Sequence, residues 1–124
     1  MGVAHHNISP PTIIGVIGDR PPPKKWLASL RRVVRRWKTN HVCLPFEVDA
    51  RYLKNMVACL KLMDIDAVII HGAHRLRLAR LINKTNSPID FVVRRSKKFV
   101  GVAVAPSSTP TPTQIARELF THIR

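Results

Sequence analysis

At 124 residues and 45% hydrophobic content, the chain fits one domain with its own core, which excludes general disorder. Its 21 Lys and Arg against 7 Asp and Glu give a formal net charge of +14. A balance so far from zero costs self-repulsion unless an acidic partner neutralises it, which points to nucleic acid ahead of an anionic membrane or an acidic protein.

Residues 1–11 are polar and end in prolines, the pattern of a flexible arm. The first forty residues hold a single acidic residue, Asp19, as a mitochondrial presequence would, but the prolines argue against a presequence helix. No secretory signal and no apolar run of about 18–20 residues is present, and His6 breaks the myristoylation pattern. An intracellular setting, cytoplasm or mitochondrial matrix, is expected. Thr12 to Ile17 reads as a buried strand closed by Gly18-Asp19, and Pro21, Pro22 and Pro23 then hand over to a helix.

From Lys24 to Lys38, Trp26, Leu27, Leu30, Val33, Val34 and Trp37 recur on one helical face. Lys24, Lys25, Arg31, Arg32, Arg35, Arg36 and Lys38 fill the rest, with no acidic residue among them. Like charges at i,i+4, such as Arg31 with Arg35, each destabilise an isolated helix by about 0.2–0.5 kcal/mol. Tolerating this repeatedly points to a polyanion as partner. Phosphate contacts need charge and reach but no fixed spacing, so the pattern does not say which polyanion.

His41 to Val48 forms a second strand, with Pro45 marking an edge or the strand end. Leu53, Met56, Val57, Leu60 and Met63 trace a second amphipathic helix, and Asp66 to Ile70 reads as a strand buried on both faces. Leu76, Leu78, Leu81 and Ile82 predict a short third helix, near whose start Arg75, Arg77 and Arg80 form a basic cluster. Ile89 to Val93 and Phe99 to Val104 predict two strands around the basic turn Arg94-Arg95-Ser96-Lys97-Lys98, a second candidate contact for a polyanion. A Ser/Pro linker opens the 106–124 segment. Thr111-Pro112-Thr113-Gln114 then carries the capping pattern of a last helix. This order predicts an α/β domain over residues 12–105, a mostly parallel sheet with flanking helices and an antiparallel edge.

Several segments resemble the N-terminal, substrate-binding domain of the shikimate dehydrogenase family. Ile14-Gly15-Val16-Ile17-Gly18-Asp19 matches its first strand and turn, and Leu44-Pro45-Phe46-Glu47-Val48 its next strand ending in Pro-Phe. Ala67 to Arg75 falls in register with the family's Gly-Val-Asn-Val-Thr-x-Pro-His-Lys. Asp90-Phe91-Val92-Val93 stands where the family has Asn-Thr-Val-Val, and Val100 to Ala105 where it has Val-Gly-Tyr-Asn-Thr-Asp. The resemblance implies that Lys24 and Trp26 occupy the positions of carboxylate-holding serines and His71 that of a substrate-holding threonine. It implies likewise that Arg75 stands for the catalytic lysine, Asp90 for an asparagine and Ala105 for the catalytic aspartate. Arg stays protonated in proteins and Ala has no titratable group, so a pseudoenzyme without catalytic residues is expected. No Gly-x-Gly-x-x-Gly fingerprint is present, so no nicotinamide cofactor is expected.

His41, Cys43, Cys59, His71 and His74 lack the paired spacing of a zinc site, so no metal is expected. Trp26 and Trp37 lie on the apolar side of their helix and read first as core residues. The expected role is a non-catalytic, strongly basic structural or RNA-associated subunit of a larger assembly, a ribosome or organellar ribosome being the first guess. The alternatives are a scaffold subunit using the basic face against acidic protein subunits, as in a membrane-enzyme complex, and a regulatory remnant that binds a shikimate-like carboxylate.

Overall fold

The computed structural model describes residues 11–63, 65–104 and 109–123. Most of the expected arm, Ala105 and most of the Ser/Pro linker lie outside the described residues. In chain order the elements are β1 (Thr12–Gly18), α1 (Lys24–Arg36), β2 (His41–Glu47), α2 (Leu53–Leu60) and β3 (Ile65–Ile70), then α3 (His74–Leu78), β4 (Phe91–Arg95), β5 (Lys98–Val102) and α4 (Pro112–Ile123). One sheet has the order β2-β1-β3-β4-β5. Its β1, β2 and β3 run parallel, while β4 and β5 pair antiparallel, which gives the expected mixed sheet.

Alternation along the strands divides the core into two layers. Ile14, Val16, Ala67, Ile69, Phe91 and Val93 face α1 and α4, where Leu30, Val34, Ile115 and Leu119 complete the packing. Ile17, Val68, Ile70 and Val92 face the opposite way, onto Leu53 and Leu60 of α2 and Leu78 of α3. Strands buried on both faces explain the continuous apolar runs of β1 and β3.

Several boundaries differ from the sequence reading. β4 starts at Phe91 and not at Ile89, β5 ends at Val102 and not at Val104, and α1 and α2 end at Arg36 and Leu60, short of Lys38 and Met63. β3 starts at Ile65, one residue early, and β2 stops at Glu47. The third helix divides into α3 and a π-helical turn, Ala79–Asn83, that ends at Lys84 in the left-handed conformation (φ 58°). The basic turn is tighter than expected because Ser96 takes a φ of 56°, which leaves Arg94 and Arg95 in β4 and Lys98 in β5. The predicted capping box is present: Gln114 N–H donates to Thr111 Oγ1 at 3.2 Å and Thr111 N–H to Gln114 Oε1 at 2.8 Å.

Side chains occupy backbone groups at both edges of the sheet. At β2, the Arg31 guanidinium donates to the Cys43 carbonyl at 3.0 and 3.3 Å. Pro45, two residues on and directed to the same side, removes an N–H from that edge. At β5, Asn83 Nδ2 donates to the Gly101 carbonyl at 3.0 Å while Gly101 N–H donates to Asn83 Oδ1 at 3.2 Å. A β-carbon at Gly101 would press on Ile89 and Asn83, so the glycine permits this docking.

Candidate functional site

The carboxyl ends of the parallel strands meet where Val48 N–H donates to the Gly18 carbonyl at 2.9 Å and His71 N–H to the Ile17 carbonyl at 3.0 Å. In open α/β sheets this end carries the ligand crevice. Here a cleft of about 460 Å³ opens, lined by Trp26 of α1, His71 and Arg75 beside β3, Asp90 before β4, and Pro110 and Ile115 at α4. Of the six cleft positions named from the sequence, Trp26, His71, Arg75 and Asp90 converge on it. Lys24 is exposed at the start of α1 and does not line it, and Ala105 lies outside the described residues.

Asp90 is 1% exposed and fully engaged. Arg75 donates to its Oδ1 from Nη2 at 2.7 Å and from Nε at 2.9 Å, and Val104 N–H donates to Oδ2 at 2.8 Å. The guanidinium therefore spends its charge inside the cleft on a carboxylate of the same chain. An incoming anion would have to compete with that pair.

His71 stands opposite, its ring 5.7 Å from that of Trp26 and packed so close over Gly18 that a β-carbon there would strike it. Among the described residues its Nε2 is buried with no hydrogen-bond partner. Burial pushes the His71 imidazole below its ordinary value; Asp19 opposes this and His74 adds to it. Fully buried His74 meets the Val48 carbonyl through Nε2 at 2.5 Å, while Arg77 Nη1 donates to its Nδ1 at 3.1 Å, an arrangement that selects the Nε2–H tautomer. Arg77 also lies 3.8 Å from Asp19.

The polyanion candidates divide into cations in use and cations exposed. Arg31 holds Cys43. Arg94 donates to the carbonyls of Leu60, Met63 and Ile65 at 2.9, 2.7 and 3.2 Å, closing the end of α2, with its guanidinium 4.7 Å from the Phe99 ring centroid. Arg95 meets His122 of α4, and Arg80 donates to Asn86. On α1, Lys24, Lys25, Arg32, Arg35 and Arg36 are exposed, as are Lys38 just past its end and Lys97 and Lys98 in the hairpin. None of these eight makes an ion pair among the described residues.

The α1 helix has no side-chain cap at Pro23 and no acidic residue in its first turn, so Lys24 and Lys25 face the positive end of the helix dipole unrelieved. Arg35 and Arg36 in the last turn sit at the favourable end. Trp37 packs on Phe120 at 5.0 Å, and Arg95 reaches His122. The last turn of α4 thus lies between the basic end of α1 and the basic hairpin. Sequence reasoning missed Arg117, an exposed α4 residue that lines a groove with Arg32 and Arg36. Its flank, next to Glu118, carries no charge pattern to signal this.

Burial pushes the Cys43 thiol up to about 11 despite the nearby Arg31, which makes it an inert core residue. Cys59 is exposed. No cluster of three or more metal-ligating side chains forms among the described residues. No helix among them is long and apolar enough to cross a membrane.

A scan against protein-family models gives no match, and neither does a comparison with curated proteins. Solved structures do match. A shikimate 5-dehydrogenase from Listeria monocytogenes, in complex with shikimate and NAD, is 15% identical with a TM-score of 0.63, over 74% of this chain and 34% of its own. Shikimate dehydrogenase 1 from Peptoclostridium difficile is 10% identical with a TM-score of 0.64, over 88% and 50%. The 5-ketofructose reductase of a Gluconobacter strain is 16% identical with a TM-score of 0.61, over 76% and 36%. The chain thus has the α/β fold of a partial shikimate dehydrogenase-like domain and spans half or less of these proteins.

Proposed function

We propose that the protein is a non-catalytic, strongly basic RNA-associated or structural subunit of a larger intracellular assembly, a ribosome or organellar ribosome first among them. The observation that carries this reading is α1, five of whose cations, with Lys38 just beyond its end, are exposed without an ion pair among the described residues. A helix that accepts self-repulsion along its length and an unrelieved basic first turn gains from a polyanion that neutralises it. Absence of catalysis is supported by Arg75, a permanent cation that is engaged by buried Asp90 at the position where the resemblance implies a proton-transferring lysine.

The test is fluorescence anisotropy of labelled RNA with the full chain across a salt series. Binding should weaken steeply and log-linearly with salt, because each phosphate neutralised releases counterions. No binding at 50 mM salt, or affinity indifferent to salt, overturns the reading. If native complexes copurify with acidic proteins and without RNA, the basic face serves a protein scaffold instead.

One observation favours a second reading. The cleft keeps a volume of about 460 Å³ beside His71 Nε2, which has no hydrogen-bond partner among the described residues, as a remnant that binds a small hydroxy acid would. Calorimetry with shikimate and quinate tests it, and the Arg75–Asp90 pair weighs against any carboxylate ligand.

A further inference from the structure

Away from the cleft, α1 and α4 pack side by side, with Trp37 against Phe120 at a ring separation of 5.0 Å. Between them runs a groove of about 370 Å³ with Val33, Trp37 and Phe120 lining it and three guanidinium-bearing side chains, Arg32, Arg36 and Arg117, around it. Arg32 and Arg36 come from successive turns of α1, and Arg117 arrives from the facing stripe of α4. No carboxylate among the described residues lines the groove. Glu118, the neighbour of Arg117, is turned to Thr121 and to His122 at 3.7 Å.

Folding thus brings three like charges from two helices around one aromatic-lined groove and supplies no counter-charge to it among the described residues. That combination suits a ligand with an anion and a planar apolar face close together. Guanidinium forks bind phosphate oxygens in pairs, and a nucleobase lies on aromatic surface in a sequence-tolerant way. A duplex keeps its bases stacked inside and offers only phosphates, whereas a single strand can splay one out. We propose that the α1–α4 groove seats a nucleotide of single-stranded RNA, its phosphate held by Arg32, Arg36 and Arg117 and its base against Trp37 and Phe120. This rests on the RNA reading above and narrows it to a site and a strand type.

The experiment titrates the full chain with a labelled uridine 12-mer and with a 12-base-pair RNA duplex at the same salt. Trp37 fluorescence is read in a Trp26→Phe background. The single strand should bind about tenfold more tightly and quench Trp37. Arg117→Gln should weaken single-strand binding by about fivefold to tenfold and lower the salt slope by about 0.7, the value for one phosphate of a single strand. Circular dichroism checks that this exposed substitution leaves the fold intact, and Arg117→Lys should restore the slope.

Should the uridine strand bind with Arg117→Gln indifferent, and be lost instead when Lys24, Lys25 and Arg35 become Gln, the groove inference falls while the RNA reading stands. Tighter duplex binding without quenching has the same consequence. No binding to either RNA at low salt ends both.

Discussion

Replacing Arg75 with Leu tests the closed state of the cleft. The substitution withdraws the donors at 2.7 and 2.9 Å and leaves the buried Asp90 carboxylate with Val104 N–H at 2.8 Å. Removing one partner of a buried ion pair costs about 3–5 kcal/mol, mostly the burden of the abandoned charge. The Arg75 side chain is 22% exposed, so water reaches the vacated space and the lower end, about 3 kcal/mol, applies. In a domain of this size that lowers the thermal midpoint by about 10 °C. Adding Asp90→Asn to Arg75→Leu removes the stranded charge, while the new amide oxygen still accepts from Val104. The double variant should therefore be more stable than Arg75→Leu alone, with a coupling of about 1.5 kcal/mol or more. Urea unfolding followed by tryptophan fluorescence measures all four corners of the cycle. A loss below about 1 kcal/mol for Arg75→Leu, or strictly additive singles, would refute the reasoning.

Arg94→Ala strips three carbonyls at the end of α2 of a charged donor and should cost about 1.5–3 kcal/mol in chemical denaturation while leaving the salt slope of RNA binding unchanged. A loss of RNA affinity at unchanged stability would show that Arg94 serves the ligand rather than α2. Gly18→Ala drives a methyl group into the His71 ring and should cost about 1–3 kcal/mol, largely recovered when His71 is also made Ala; no recovery would place the strain elsewhere. Burial holds the folded His71 imidazole below its unfolded value of about 6.5, so the unfolded chain takes up that proton first as pH falls. Its contribution is whole above about pH 6.5 and is lost as pH falls through that value toward the folded one. Urea midpoints at pH 7.5, 6.5 and 5.5 should drop more for the wild type than for His71→Asn, and identical curves would contradict this.

The elements were legible because each rests on local chemistry. Apolar runs gave β1 and β3 and helical spacing gave α1. The Thr111–Gln114 box gave the start of α4, because all its partners lie within one turn. Contacts between distant segments were not legible. Arg94 was expected at a solvated turn, but its partners at Leu60 and Met63 lie more than thirty residues away. Arg75 and Asp90 were both singled out, yet their pairing depends on how α3 and the approach to β4 pack. Arg117 acquires its meaning only when α4 docks on α1. The widened turn ending at Asn83 had no signal at all, since its contact at Gly101 is made across the fold.

The two occupied sheet edges bear on how this chain meets its neighbours. With Arg31 on the Cys43 carbonyl and no N–H at Pro45 on one flank, and the Asn83 amide on both groups of Gly101 on the other, a foreign strand meets an interrupted ladder at each edge. The route by which crowded β-proteins zip into fibres is thereby obstructed. At a net charge of +14 the molecule should stay dispersed when stripped of its partner. Its associations would then be made by helix surfaces and side chains, and undone by salt.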